Sequence, residues 1–201
     1  MTLTAMGRGR PREFDEEHAL DAAIGVFWSK GYDLTSIADL ADATGLGPSS
    51  LYNAFGCKEA IFEKAMERYV TKYGRAFREQ LNERGPIVEV LVAALHASAE
   101  SLANPESPGG CAVACSASAN PGAAGEITAE KRRLVEEMVF TRIIQAIDRG
   151  EARPDADARG AAMLVTALLS GMSQKSRDGG MIEDLHTISA AAEASLGALL
   201  S

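Results

Sequence analysis

Long apolar runs, paired cysteines and aromatic rings are all scarce in this 201-residue chain. No stretch approaches the roughly 20 apolar residues needed to cross a bilayer, which argues against a membrane protein. Three cysteines are an odd number, unsuited to an extracellular disulfide framework. The opening MTLTAMGRGRPR lacks the apolar centre of a secretory signal. These absences point to a cytoplasmic, reduced protein. No segment alternates like a half-buried strand, and no internal repeat emerges. Phosphate loop, dinucleotide fingerprint and hydrolase elbow are missing as well, so neither a cofactor nor enzymatic activity is expected. The formal net charge of −8 speaks against a general nucleic-acid coat protein. A local basic face remains compatible with it, because only a docking surface must be positive. From residue 85 onward 9 Lys/Arg stand against 15 Asp/Glu, so most of the acidity lies outside the N-terminal part.

What is present is helical. The stretch from Leu34 to Phe55, LTSIADLADATGLGPSSLYNAF, carries the signals of two short helices joined by a tight turn. Ser36 and Asp39 form a capping-box start. Ile37, Leu40 and Ala41 share one apolar face. Gly45 can take the positive φ that ends a helix. Pro48 suits the first position of the second helix, where its missing N–H costs nothing. From that helix Ser49, Ser50, Tyr52 and Asn53 point outward, while Leu51 and Phe55 turn inward. A small polar helix held by another across a glycine turn is the helix-turn-helix arrangement, which enters a DNA major groove. Upstream, Arg8, Arg10 and Arg12 sit in a glycine-rich segment without acids, suited to a flexible arm against phosphates or a minor groove. Lys58 stands at a helix start, where a cation opposes the helix dipole, and a phosphate partner would explain it.

The region from Arg10 to about Tyr69 resembles the DNA-binding domain of the tetracycline-repressor (TetR) family of bacterial regulators. The resemblance rests on Ala22-Ala23, Phe27 with Gly31-Tyr32, Thr35-Ser36-Ile37-Ala38, and Leu51 to Phe55 followed by Lys58-Glu59. Cys57 departs from it, standing where the family usually has a serine or another small polar residue. The resemblance implies an all-α, homodimeric, ligand-responsive repressor of about nine helices. Residues 1–60 would be the helix-turn-helix domain, and 61–201 the regulatory and dimerisation domain. Ser49, Ser50 and Asn53 would meet bases or phosphates of double-stranded operator DNA. Tyr52, Lys58, Ser36 and the three arginines would go mainly to its backbone.

Periodicity places the remaining helices at Phe14 to Lys30 (capped by Asp15), Lys58 to about Asn82, Ile87 to Ala103, Gly110 to Ala119 (a small-residue helix or turn), Gly125 to Arg149, Ala156 to about Ser173, and Met181 to Leu200. The helix from Lys58 reads as a connector between the two halves. The last two helices are rich in Ala, Gly and Ser and resemble the family's four-helix dimer interface. Met163, Leu164, Leu168, Met172, Leu185, Ile188 and Leu196 need common burial and are assigned to it.

Two sensing modes suggest themselves. Cys111 and Cys115 lie four residues apart, and Cys111 follows two glycines at a helix start that would favour a thiolate. An intact helix holds such residues with Cβ atoms ~5–6 Å apart, whereas a disulfide wants ~3.5–4.5 Å. Oxidation would therefore unwind the helix; alternatively both cysteines merely pack. Two thiolates make a poor metal site even with His96 added, so no metal is expected. The second mode is a cavity for an unknown small molecule, lined by Leu91, Leu95, His96, Leu102, Met138, Phe140, Ile144 and Leu168. The competing function is a thiol-dependent helical enzyme resembling the alkylhydroperoxidases. Its C-x-x-C is replaced here by C-x-x-x-C, with no acid–histidine pair.

Overall fold

The computed structural model describes residues 15–116 and 122–201. Its ten helices are α1 (Glu16–Lys30), α2 (Ile37–Thr44), α3 (Pro48–Phe55), α4 (Lys58–Tyr73), α5 (Arg75–Leu81), α6 (Ile87–Leu102), α7 (Ala112–Cys115), α8 (Ala123–Asp148), α9 (Ala158–Arg177) and α10 (Ile182–Leu200). No strand occurs among the described residues. The expected all-α architecture is present, with one helix more than the periodicity gave.

The extra helix comes from Gly74. A single helix from Lys58 to Asn82 was expected; instead the chain breaks between α4 and α5. The Arg78 guanidinium folds back onto the end of α4 and donates to the carbonyls of Val70 at 2.6 Å and Thr71 at 2.7 Å. A Cβ at residue 74 would lie 2.6 Å from the Val70 oxygen and 2.8 Å from Arg78 Nη1. Only a residue without a side chain leaves the guanidinium room to cap these carbonyls. Apolar spacing runs through the break unaltered, so the pattern could not reveal it.

Side chains bury into two cores. The first joins α1 through α4 with part of α7 and the start of α8; Phe27, Leu40, Leu51, Ile61, Phe62 and Met66 are among its fully enclosed members. The second joins α5, α6, α8, α9 and α10 around Leu81, Leu91, Leu95, Ile143, Met172 and Leu196. Residue 60, the division expected from the sequence, falls inside α4, whose apolar face belongs to the first core as far as Tyr69.

The two cores are tied at the C-terminal end of α1, where a helix leaves carbonyls without partners. Arg177, in the last turn of α9, donates to the Trp28 oxygen at 2.9 Å and the Ser29 oxygen at 3.4 Å. The Ser116 hydroxyl donates to the Phe27 oxygen at 2.8 Å. The Trp28 indole N–H in turn donates to the Gly109 oxygen at 3.0 Å. Buried Arg142 of α8 does the same work for the end of α5, reaching the Leu81 and Glu83 oxygens at 2.9 Å each.

Candidate DNA interface and regulatory cavity

The α2–turn–α3 unit is built as its sequence directs. Ser36 Oγ accepts from the Asp39 amide at 3.1 Å, and the Asp39 carboxylate accepts from the Ser36 amide at 2.8 Å. Lys30 Nζ closes on the same carboxylate at 2.6 Å. That ammonium, then the Ser36 amide, holds the Asp39 carboxyl far below the usual carboxylate range. Gly45 takes φ 69°, ψ 13°, the left-handed geometry that ends α2. Proline starts α3, and Leu51 and Phe55 bury. Pro48, Ser49, Ser50, Tyr52 and Asn53 are all exposed on the outer face of α3, with Tyr52 48% accessible. Hydroxyl, amide and phenol groups thus project from a short helix whose other side is locked into the first core.

Two residues assigned to phosphates are spoken for inside the protein. Lys58 Nζ donates to the Tyr32 oxygen at 3.0 Å and the Thr35 oxygen at 2.9 Å, and lies 4.1 Å from the Tyr32 ring centroid. These contacts account for a cation at the start of α4 without a phosphate partner: it fastens the α1–α2 connection. The Ser36 hydroxyl is similarly used, donating to the Asp39 carboxylate at 2.8 Å while accepting from its amide. Arg8, Arg10 and Arg12 lie outside the described residues.

A cavity of about 560 Å³ opens between α4, α6, α7, α8 and α9. Tyr69, Phe77, Leu102, Val113 and Ser173 form its buried end. Arg132, Arg133, Met163 and Ser170 are exposed and mark its opening toward solvent. Its volume lies within the range of small-molecule sites. Of the lining residues expected from the sequence, Leu102 alone is found there. Leu91 and Leu95 are sealed in the second core, and Met138, Phe140 and Leu168 pack against it. His96 faces His186, with ring centroids 5.0 Å apart, and Ile144 is 37% exposed on the outside of α8. Spacing identified the middle helices, but not which stripe of each faces the hollow.

Cys111 does line the cavity, with chemistry opposite to expectation. It is the N-cap of α7 rather than a residue on its face, and α7 has only four residues. Its amide donates to Ser173 Oγ at 2.8 Å. Burial pushes the Cys111 thiol up, outweighing the amides of Ala114 and Val113 and the Tyr69 hydroxyl that favour a thiolate. Desolvation therefore wins over the dipole of so short a helix. Cys115 sits 3.9 Å from Ser173 Oγ, directly over Gly110. Gly110 has φ 69°, and a Cβ there would come within 2.7 Å of the Ser173 oxygen. All three cysteines are free thiols. Among the described residues no cluster of His, Cys, Asp or Glu could hold a metal ion.

The apolar set given to a dimer interface divides on inspection. Met172, Leu185 and Leu196 are completely enclosed within the protomer, so they hold α9 and α10 onto α6 rather than facing a partner. Leu164, Leu168 and Ile188 are half-buried, and Met163 is 55% exposed beside the cavity. Among the residues that α9 and α10 expose are the small Ala167, Gly171, Ala190, Ala191, Ala194 and Ala198.

Such a reading helix, carried on an all-helical body with an internal cavity, defines a class of helix-turn-helix regulators. Residues 19–65 match the model of bacterial regulatory proteins, tetR family, and residues 88–191 match that of the tetracyclin repressor-like C-terminal domain. The chain belongs to the TetR family. It is 32% identical to the HTH-type transcriptional repressor ComR of Escherichia coli K12, over 90% of this chain and 88% of that one. It is also 29% identical to the HTH-type transcriptional repressor BdcR of the same organism, over 96% and 94%. Among solved structures, a cysteine mutant of the TetR-family regulator CifR with 26 bp operator DNA superposes with a TM-score of 0.87. It shares 30% identity over 92% of this chain and 98% of that one. No described helix is long and apolar enough to cross a membrane.

Proposed function

We propose that this protein is a sequence-specific DNA-binding transcriptional repressor that acts as a homodimer and leaves its operator when the cavity is filled or a cavity thiol is modified. The exposed face of α3 supports this reading most directly: five non-acidic residues, Pro48 to Asn53, stand on a helix rigidly backed by Leu51 and Phe55. Ser49, Ser50 and Asn53 are the base-reading candidates, with Tyr52 and the arm arginines on phosphates. Lys58 and Ser36 contribute by fixing the unit that presents α3. Residues 1–60 constitute the reading domain, and the regulatory domain begins along α4. The exposed alanine and glycine stripe of α9 and α10 is the surface for the second copy. Nothing in the arrangement favours peroxide turnover, since the cavity cysteine is held as a thiol.

The test is binding of a duplex selected from a random-sequence pool. Asn53→Ala should weaken it about tenfold or more and relax the preference at one base position. Tyr52→Ala should weaken all duplexes alike while leaving the salt dependence unchanged, because a neutral phenol releases no counterion. Unchanged affinity in both variants would overturn the proposal.

A further inference from the structure

Cations outnumber acids around the cavity: Lys131, Arg132 and Arg133 line it together with one carboxylate, Glu136. Arg132 and Arg133 lie on the exposed side of α8 and both line the opening. One turn onward stand Glu136 and Glu137, the carboxylates at helical spacing to neutralise them. Arg159 of α9 takes both instead, pairing with Glu137 and lying 3.7 Å from Glu136, while its guanidinium stacks 3.9 Å from the Phe140 ring centroid. Lys131, the third cation of the run, is committed to Glu67 at 3.2 Å and is only 11% exposed. Among the described residues, Arg132 and Arg133 are thus left without a carboxylate. Behind them the chamber offers little polarity. Ser98, Ser101 and Ser170 donate their hydroxyls to backbone carbonyls, and Tyr69, Phe77, Leu102 and Val113 present apolar surface.

We infer that the cavity takes an amphipathic anion, its apolar chain or ring lying against Phe77 and Leu102 and its carboxylate or phosphate head on the guanidinium groups of Arg132 and Arg133. This rests on the cavity being the effector site, as proposed above. Two forked guanidinium groups suit either oxyanion head, and an apolar tail gains by leaving water. A cationic amphiphile would meet like charge at the opening. A neutral one would gain the chamber but no head contact.

The protein carries its own reporter. Trp28, its one tryptophan, packs edge-on against Tyr69 at 5.1 Å and Tyr73 at 5.3 Å, and both tyrosines line the cavity. Trp28 fluorescence of the full chain, without DNA, is titrated with dodecanoate, dodecyl phosphate, dodecanol and dodecylamine, each below its aggregation concentration. The anions should bind about tenfold or more tightly than dodecanol, with dodecylamine weakest. The stronger of the two anions identifies the natural head as carboxylate or phosphoester. Arg132→Gln with Arg133→Gln changes only exposed side chains, and should bring anions and alcohol to within about threefold of each other. Ala97→Leu fills the chamber and should weaken every ligand. Equal binding of dodecanoate and dodecanol to the unaltered protein would overturn the assignment. So would an anion preference that survives the double substitution, or binding indifferent to Ala97→Leu. Because no DNA enters the assay, these outcomes stand apart from failure of the operator test.

Discussion

The two cores are made of different material. Ten of the eleven aromatic residues precede residue 78, and Phe140 is the exception. In the N-terminal core Phe27 meets Phe62 edge-on at 4.9 Å, and Tyr69 stacks on Tyr73 at 4.9 Å, with Trp28 against both tyrosines. The second core is aliphatic: Leu81, Leu91, Leu95, Ile143, Val165, Leu185 and Leu196 are buried there among alanines, and Phe77 is its one buried ring. Interlocked rings fix one arrangement, because each occupies a large and particular shape. Aliphatic side chains impose a less particular shape, so helices packed through them can slide with modest loss. The half that must present α3 in one pose is stiff. The cavity lies between the two, with Tyr69, Tyr73 and Val113 of the first core on one side and α6 and α9 on the other.

The contrast can be broken most severely at Phe62. Phe62→Ala should cost about 3–5 kcal/mol by urea unfolding and abolish operator binding with it. A loss below about 1 kcal/mol would mean the ring cluster contributes little. Next is Arg142→Met, which keeps the apolar stem but deprives the Leu81 and Glu83 carbonyls of their donor. About 1–3 kcal/mol should be lost, with operator affinity of the folded protein unaltered. An equal loss of operator affinity in the folded variant would show that the two cores do not behave separately.

Acid should then act on the stiff half. Asp21 is held below its ordinary value first by the Arg68 hydrogen bonds, at 2.8 Å, and Asp39 by Lys30. A carboxyl whose folded pKa is depressed stabilises the fold only while ionised. Its contribution is complete above the ordinary value of 3.8 and fades as pH falls below it. Near-ultraviolet circular dichroism of the Trp28–Tyr69–Tyr73 cluster should therefore decline below about pH 4. Aspartate-to-asparagine changes at both positions should remove that step.

The smallest effect is one of order. Exposed Cys57 should react with a maleimide well before Cys111, whose thiol burial pushes up, and stability should not change. Peptide mass spectrometry at short times decides this; first labelling at Cys111 would contradict its enclosure.

Local signals in the sequence specified the reading unit closely. Ser36 with Asp39, Gly45 and Pro48 each act within four residues of themselves, so a linear reading captures them. Helix existence was legible for the same reason. Long-range commitments were not. Lys58 reaches back 26 residues to the Tyr32 carbonyl, and Arg177 reaches back 149 to Trp28. Nothing near either residue announces it. The Gly74 break was hidden because its cause, Arg78, reads as an ordinary helix residue. The cavity was half legible: the middle helices were right, but Leu91 and Leu95 turn away from it while Cys111 and Leu102 turn in. At Cys111 a local dipole argument is overruled by burial that only the fold reveals.

Arg177 and Ser173 are one turn apart on α9, the first holding peptide oxygens of Trp28 and Ser29 and the second lining the hollow. A shift of that helix by an ångström toward an occupant would strip hydrogen bonds from the base of the DNA-reading module. If filling the cavity releases the operator as proposed, thermodynamic reciprocity requires that a protein seated on its operator hold its small molecule more loosely, by the same factor.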